Sequence, residues 1–230
     1  MTKFLSKIVA VTVPKIESTP DINTGESFVA YAARVSNPSN QANPSTSGLV
    51  KYLIKNQHWS PFEMVHVCME INTTRDIARQ ILRHRSFSFQ EFSQRYADAS
   101  QLGFEGRECR LQDPKNRQNS ITINTDSAEA ILVPGWTQLQ VEVIDFCTKK
   151  YKAALDAGIA KEQARAILPE GLTKSRLYMS GTLRSWIHYC ELRMSNGTQK
   201  EHMDVAKSCW EELRNEFPNI IEACEHRNNA

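Results

Sequence analysis

The chain has 230 residues, of which 40% are hydrophobic and 23% are charged, and its formal net charge is +2. This length is sufficient for one domain with a full hydrophobic core. A charge balance so close to neutral argues against a general binder of nucleic acids or membrane surfaces, although local basic patches remain possible. No stretch reaches the roughly 18 uncharged apolar residues that a transmembrane helix needs.

The six cysteines are scattered along the chain and form no Cys-x-x-Cys pair. The segment after Met1 does not have the pattern of a signal peptide. We therefore expect reduced thiols in a cytoplasmic protein that has neither a disulfide framework nor a metal site.

In the first part of the chain, a strand is predicted over 4–13, where β-branched residues partly alternate with polar ones. Helices are predicted over 26–35 and 49–57. Between them, residues 36–48 are polar and contain two Asn-Pro pairs, which indicates a mobile surface loop. This loop is either a plain linker or a lid over a pocket.

The central stretch is predicted to be a half-buried strand over 65–71 that leads into an arginine-rich helix. Arg75, Arg79 and Arg83 are spaced at i, i+4 and i+8, so a continuous helix would place them on one face. Like charges at this spacing repel each other. An anionic partner would compensate this repulsion; the alternative is a solvated basic face.

The second half of the chain is mainly helical. Strands are predicted over 120–126 and 172–179. Helices are predicted over 137–157, 161–168, 182–193, 199–217 and 218–226. Strands interleaved with helices indicate an α+β fold, which we expect to be a single domain over 1–230 with a mostly antiparallel sheet flanked by helices.

One motif in the arginine-rich stretch resembles a known signature. Arg83-His84-Arg85, seven further residues and then Ser93 are similar to the signature of flavin-dependent thymidylate synthases. Three other segments resemble motifs of the same family and occur in its order: the flavin-contacting segment at 58–63, the substrate-arginine motif at 164–169, and the flavin- and uracil-binding helix at 183–193.

The resemblance implies two sets of site residues. The positions that match nucleotide-binding positions for deoxyuridine monophosphate (dUMP) are Gln80, Arg83, Glu91, Phe92, Ser93, Gln94, Arg95, Arg165 and Arg193. Those that match positions for FAD are Ser36, Ser60, Glu63, Arg83, His84, Arg85, Glu91, Thr182, Arg184 and His188. Arginine suits such ligands because its planar fork donates paired hydrogen bonds and keeps its charge.

The resemblance also implies a reaction, the reductive methylation of dUMP to thymidylate. The one-carbon unit would come from 5,10-methylenetetrahydrofolate, and NADPH would reduce the flavin. None of the cysteines occupies a position that defines a motif, although Cys190 lies within the segment 183–193, so Arg193 is the catalytic candidate, acting electrostatically on the uracil ring. The family's arrangement further implies a homotetramer with sites at subunit interfaces.

The chain departs from the family pattern at five positions: Met64, Gln90, Gln94, Thr182 and Gly197. Two other readings stay open. A protein that binds RNA or nucleotides could stack bases on Phe87, Phe89 and Phe92. A cofactor-free phosphohydrolase could use His84 and Glu91 as acid and base.

Overall fold

The computed structural model describes residues 5–228. Residues 1–4 and 229–230, the ends of the expected domain, lie outside the described residues, and so does Phe4 of the first expected strand. The strands are β1 (Ser6–Val11), β2 (His66–Thr74), β3 (Ser88–Glu91), β4 (Arg110–Gln112), β5 (Ser120–Thr122) and β6 (Lys174–Thr182). The α-helices are α1 (Gly25–Ala33), α2 (Ser47–Lys55), α3 (Arg75–Ile81), α4 (Leu132–Asp156), α5 (Lys161–Ala164), α6 (Leu183–Arg193), α7 (Lys200–Glu216) and α8 (Pro218–Asn228).

The main sheet has four antiparallel strands in the order β1-β2-β6-β3. Alternate residues of β2 are fully buried, as the period of two predicts for a strand with one face in the core. Helices α3, α6 and α7 pack against the sheet, and α8 bridges α7 and α2. The expected α+β fold with a mostly antiparallel sheet flanked by helices is confirmed.

The arginine-rich helix is shorter than its sequence pattern suggests. α3 ends at Ile81, Leu82 caps it, and Arg83 lies in the exposed turn that follows. The predicted row of three arginines on one face is therefore wrong for Arg83. Arg75 and Arg79 remain neighbours one helical turn apart.

β3, which the sequence did not predict, pairs with β6 and carries residues 88–91 along the edge of the sheet. Phe87 is buried against Trp186, with the ring centroids 4.9 Å apart, and Phe89 packs against the same core. Neither ring is free to stack on a base, which removes the basis of the RNA-binding alternative at these two positions.

Outside the main sheet, β4 and β5 form a two-stranded hairpin. The long helix α4 begins at Leu132, five residues earlier than expected, and packs through Tyr151 against Ala99 and Ala164. Much of α4 is exposed, including apolar side chains that recur every three or four residues: Leu132, Trp136, Leu139, Val143 and Phe146. We call these five residues the α4 stripe.

The loop over 36–48 contains a short 3₁₀ helix, Pro38–Asn40, and its last two residues belong to α2. The guanidinium of Arg34, which is buried, donates hydrogen bonds to the carbonyl oxygens of Asn43 and Ser45. The second half of the loop is thereby tied to the end of α1. Mobility of the loop remains a prediction.

Gly181 in β6 gives a direct test of the core packing. A Cβ atom at this position would lie 2.5 and 2.8 Å from two ring carbons of Phe87. We expect Gly181→Ala to lower the free energy of unfolding by about 1–3 kcal/mol, because the Phe87 ring would have to leave its place against Trp186.

The matched control for this substitution is Gly48→Ala in α2, where a new Cβ meets nothing within 4 Å. It should raise the free energy of unfolding by about 0.5–1 kcal/mol through helix propensity. Denaturant titration of both variants measures the difference. Equal effects of the two substitutions would contradict the packing described.

Candidate active site

The C-terminal end of α6 meets the turn after α3 in a contact between an arginine and a histidine. Arg193, the last residue of α6, donates a hydrogen bond from Nε to Nε2 of His84 over 2.9 Å. The His84 ring also packs edge-on against Tyr189, with the ring centroids 4.8 Å apart. No further hydrogen bond of Arg193 is found within residues 5–228, so its two terminal nitrogens are available to a ligand.

The protonation state of His84 follows from its burial and from this contact. Burial and, to a smaller extent, the positive charge of Arg193 lower the pKa of His84 to about 4. The imidazole is therefore neutral near neutral pH, accepts at Nε2 and carries its proton on Nδ1. A neutral acceptor fixes the guanidinium of Arg193 in place without cancelling its charge.

Gln80, in the last turn of α3, belongs to the same region. Its Oε1 lies 3.2 Å from Nδ1 of His202, a fully buried residue of α7 whose ring centroid is 6.3 Å from that of His84. Three of the expected site residues, Gln80, His84 and Arg193, therefore gather at the C-terminal end of α3. We call them the uracil group, after the role proposed below.

A second group lies at the opposite end of α3. Glu91 accepts a hydrogen bond of 2.7 Å from Ser175 and forms an ion pair of 3.5 Å with Arg75. Glu91 thus contacts Arg75 at the start of α3, whereas His84 lies beyond the end of α3 and contacts Arg193 of α6. This separation argues against a phosphohydrolase in which the two residues act together as acid and base.

Next to Glu91, a cavity of about 280 Å³ is lined by Arg75, Arg79, Gln94 and Arg165, among others. Gln94 is only 3% exposed, and its Nε2 has no hydrogen-bond partner within the described chain. A buried amide nitrogen without a partner is energetically unfavourable. Three guanidinium groups, offset by the single carboxylate of Glu170 in the lining, and a free N–H donor suit an anionic, oxygen-rich ligand.

One glutamate brings Arg165 together with a further arginine, Arg95, near this cavity. Arg95 forms an ion pair of 3.2 Å with the carboxylate of Glu162, and Arg165 donates to its backbone carbonyl over 3.3 Å. Arg79 pairs with Glu170 over 3.1 Å. We call Glu91, Gln94, Arg95 and Arg165 the phosphate group, again after the proposed role.

A third group surrounds the start of α6. Arg184 donates a hydrogen bond of 2.7 Å to Glu63. Burial opposes the ionisation of Glu63, but hydrogen bonds from Thr182 and Arg184 outweigh it and lower the pKa of this carboxyl group. His188, one turn further along α6, packs edge-on against Trp59, with the ring centroids 4.7 Å apart. Four expected flavin-site residues, Glu63, Thr182, Arg184 and His188, are thus grouped.

Of the other expected residues, only Ser93 forms a hydrogen bond through its side chain to one of these groups within the part of the chain described. Ser36, Ser60, Arg83 and Arg85 are exposed. Ser93 is half-buried and accepts a hydrogen bond from the backbone N–H of Arg95 over 3.3 Å. Phe92 is half-buried and donates its backbone N–H to Arg176.

Sequence reasoning missed three contributors, namely Glu162, Glu170 and His202. The two glutamates flank the Arg165 motif, so an acidic residue on each side of a candidate arginine was the available signal. His202 had no such signal, because a histidine in an amphipathic helix is usually structural.

Within residues 5–228, none of the helices is both long and apolar enough to cross a membrane. The same residues contain no cluster of three or more His, Cys, Asp or Glu side chains that could hold a metal ion.

Comparisons with known proteins show the family of the chain. A family model described as thymidylate synthase complementing protein matches residues 17–219. A probable flavin-dependent thymidylate synthase of Paramecium bursaria Chlorella virus 1 is 49% identical over 219 residues, which cover 95% of this chain and 97% of that protein. The flavin-dependent thymidylate synthase of Synechocystis is 45% identical over 219 residues, covering 95% and 98%.

The chain belongs to the family of flavin-dependent thymidylate synthases. A solved structure of PolB, a UMP/dUMP methylase from Streptomyces cacaoi bound with 5-Br dUMP, has a TM-score of 0.74 at 26% identity. The match covers 96% of this chain and 94% of PolB. The family predicted from the Arg-His-Arg signature is confirmed.

The half-buried His84 and the fully buried His202 of this family member predict how its stability depends on pH. Burial is the main cause that lowers the pKa of His84 to about 4 and that of His202 to about 3, and Arg193 adds to both shifts. The unfolded chain takes up protons at these residues below about pH 6.5, whereas the folded chain does not. Stability should therefore be fully present above that pH and decrease as the pH falls towards the folded pKa values.

In this pH range, each histidine adds at most about 1.4 kcal/mol per pH unit to the slope of the free energy of unfolding against pH. Between about pH 5 and 7, the free energy of unfolding of His202→Asn should change less steeply with pH than that of the wild type. The control is His66→Asn, which replaces an exposed side chain. If the wild type and His202→Asn had the same slope, the buried neutral state of His202 would be refuted.

Proposed function

We propose that this chain methylates dUMP reductively to thymidylate, with 5,10-methylenetetrahydrofolate as the one-carbon donor and NADPH as the reductant of bound FAD. The enzyme class is supported by relatives at 45% and 49% identity over 95% of the chain. When bound, reduced FAD supplies the electrons that convert the transferred methylene into a methyl group. The protein's own side chains bind, orient and activate the pyrimidine.

The observation that carries the mechanism is the Arg193–His84 contact. C5 of uracil is a poor nucleophile, and its reactivity rises if the ring gains negative charge. A fixed guanidinium beside the edge of the ring favours ionisation at N3 and stabilises the resulting anion. Because His84 is neutral, the full positive charge of Arg193 acts on the ring.

Activation by a cysteine thiolate has less support. Cys190, Cys209 and Cys224 are buried, and burial raises the pKa of each thiol. Burial also raises the pKa of Cys68, which is half-buried in β2. Such thiols are protonated near neutral pH and are weak nucleophiles.

The phosphate group provides the second half of the dUMP site. Arg165 and Gln94 line the cavity beside Glu91, and the nucleotide phosphate matches the cavity in charge. The phosphate oxygens would accept from the unpartnered Nε2 of Gln94, which accounts for a buried donor that otherwise has no role.

The flavin would occupy the third group. Arg184 is nearly half exposed despite its ion pair with Glu63, so it can also reach a flavin phosphate. Trp59 and His188 provide flat rings next to it. The exposed arginines of the signature, Arg83 and Arg85, have guanidinium groups that suit the same dinucleotide.

The decisive variant is Arg193→Ala. It should abolish thymidylate formation while FAD remains largely bound, because Arg193 lies apart from the Glu63–Arg184 pair. The measurements are deoxythymidylate formation and the visible flavin spectrum of the purified protein, which should bleach with NADPH.

Arg214→Ala is the control for this variant. It removes an exposed arginine that pairs with Glu211 and Glu225. Near-normal turnover by Arg193→Ala would refute the role of Arg193. A protein without flavin, even after FAD is added, would refute the enzyme class.

We also propose that the enzyme acts as a homotetramer in the cytoplasm, with sites at subunit interfaces and small molecules rather than nucleic acids as substrates. In one chain the uracil and phosphate groups lie at opposite ends of α3. A site that uses both groups is completed if a second copy supplies one of them. The α4 stripe supports this assembly, since its members are between 39% and 61% exposed. Apolar residues at spacings of three and four are typical of a helix that packs against another helix.

Leu139→Asp should disrupt the assembly, because it places a charge in the middle of the α4 stripe. Light scattering should report a smaller species than the wild-type tetramer, and activity should fall with it. The matched control is Gln138→Asp, which adds the same charge about 100° around the helix. A tetramer that persists in Leu139→Asp would exclude α4 as the contact surface.

A further inference from the structure

A line of four hydrogen bonds runs from α6 through α7 and α3 to the start of α7. The hydroxyl of Tyr189 lies 3.2 Å from Nε2 of His202, and Nδ1 of His202 lies 3.2 Å from Oε1 of Gln80. Nε2 of Gln80 donates to Oε1 of Gln199 over 2.8 Å, and Nε2 of Gln199 donates to Glu201 over 2.9 Å. The middle member, Gln80, is the residue that the proposed function assigns to the uracil group.

The carboxylate of Glu201, at one end of the line, determines which group donates and which accepts in each hydrogen bond. Burial opposes ionisation of Glu201, but hydrogen bonds from Arg110 and Gln199 and the charge of Arg107 lower its pKa. An ionised carboxylate only accepts, so Gln199 must turn its amide nitrogen towards Glu201. Its oxygen then faces Gln80, which must donate in turn.

The protonation of His202, on the other side of Gln80, is consistent with this assignment of donors and acceptors. His202 is fully buried, and burial together with the nearby charge of Arg193 lowers its pKa to about 3. A neutral imidazole has one N–H and one acceptor nitrogen. Because Gln80 presents its oxygen, the proton lies on Nδ1, and Tyr189 donates its hydroxyl hydrogen to Nε2.

One of the two side-chain N–H groups of Gln80 has no hydrogen-bond partner within the described residues. Within residues 5–228 its side chain forms the two hydrogen bonds already given, one through the oxygen and one through the nitrogen. The second N–H belongs to a half-buried amide in the same region as the Arg193–His84 contact. It is a donor of fixed orientation next to the proposed uracil position.

We propose that His202 and Gln199 are positioning residues, which hold the amide of Gln80 so that its free N–H, and not its oxygen, faces an oxygen atom of the pyrimidine nucleotide. This inference rests on the proposed function. A rotated amide would bring two acceptor oxygens together and weaken nucleotide binding. Neither His202 nor Gln199 needs to touch the substrate for this effect.

Two substitutions at His202 separate positioning from packing. In His202→Asn, the amide nitrogen can take the place of Nδ1 and still donate to Gln80. In His202→Gln, the longer side chain places its amide near Nε2, so the contact with Tyr189 is kept and the contact with Gln80 is lost. Both variants bury one amide in place of the ring.

The measurements are the Kd for dUMP of the FAD-loaded enzyme by calorimetry, and kcat and KM from thymidylate formation. His202→Gln should raise the Kd and KM for dUMP about tenfold, whereas His202→Asn should stay within about threefold of the wild type. FAD content and kcat at saturating dUMP should be retained in both. General structural damage would lower FAD content and kcat, and Asn would not rescue them.

An unchanged Kd in folded His202→Gln would overturn the inference, and so would equal weakening in both variants. If His202→Gln does not fold, Gln199→Leu decides, because it disconnects Gln80 from the carboxylate that sets the direction. This variant should weaken dUMP binding, and an unchanged Kd would again overturn the inference. If the wild type itself fails to bind dUMP, the proposed function falls and this inference with it.

Discussion

The contact on which the site depends is one hydrogen bond from a guanidinium to a neutral imidazole. It joins the last residue of α6 to the turn after α3, two segments that the sheet alone does not bring together. Its strength requires that His84 stay unprotonated, which burial and the neighbouring charge of Arg193 ensure. The same cation that lowers the pKa of the histidine is thereby oriented by it. A carboxylate in that place would bind Arg193 more strongly but would neutralise the charge that the proposed chemistry uses.

The remaining charges follow a related pattern. Arg75, Arg79 and Arg95 each have a carboxylate partner, in Glu91, Glu170 and Glu162. The Arg79 and Arg95 pairs are about half exposed and contribute little to stability, whereas the Arg75–Glu91 pair is largely buried. Their effect is to keep arginines around a cavity that holds an unpartnered buried amide. The arrangement fits a surface prepared for an anion better than one optimised for the free chain.

The line of hydrogen bonds from Tyr189 to Glu201 fixes the orientation of a neutral group, the amide of Gln80. An amide can rotate at small energetic cost, so one that must present a donor needs a constraint on both of its ends. A buried neutral histidine supplies one constraint and an ionised carboxylate the other. Recognition of the nucleotide by Gln80 would then depend on His202 and Gln199, which contact Gln80 and need not touch the nucleotide.

The sequence by itself determined the family, the α+β class and the alternating burial of β2, since these depend on short motifs and local periodicity. It also placed the start of α3 and the extent of α6 to within a few residues. It did not predict where α3 ends or that β3 exists. β3 depends on pairing with β6, whose residues lie some 90 positions away in the chain. The gathering of site residues at the two ends of α3, and the hydrogen bonds of His202 and Gln199 to Gln80, were decided only by the tertiary structure. A hydrogen-bond partner more than 100 residues distant leaves no periodic trace in the sequence, so only the folded chain can reveal it.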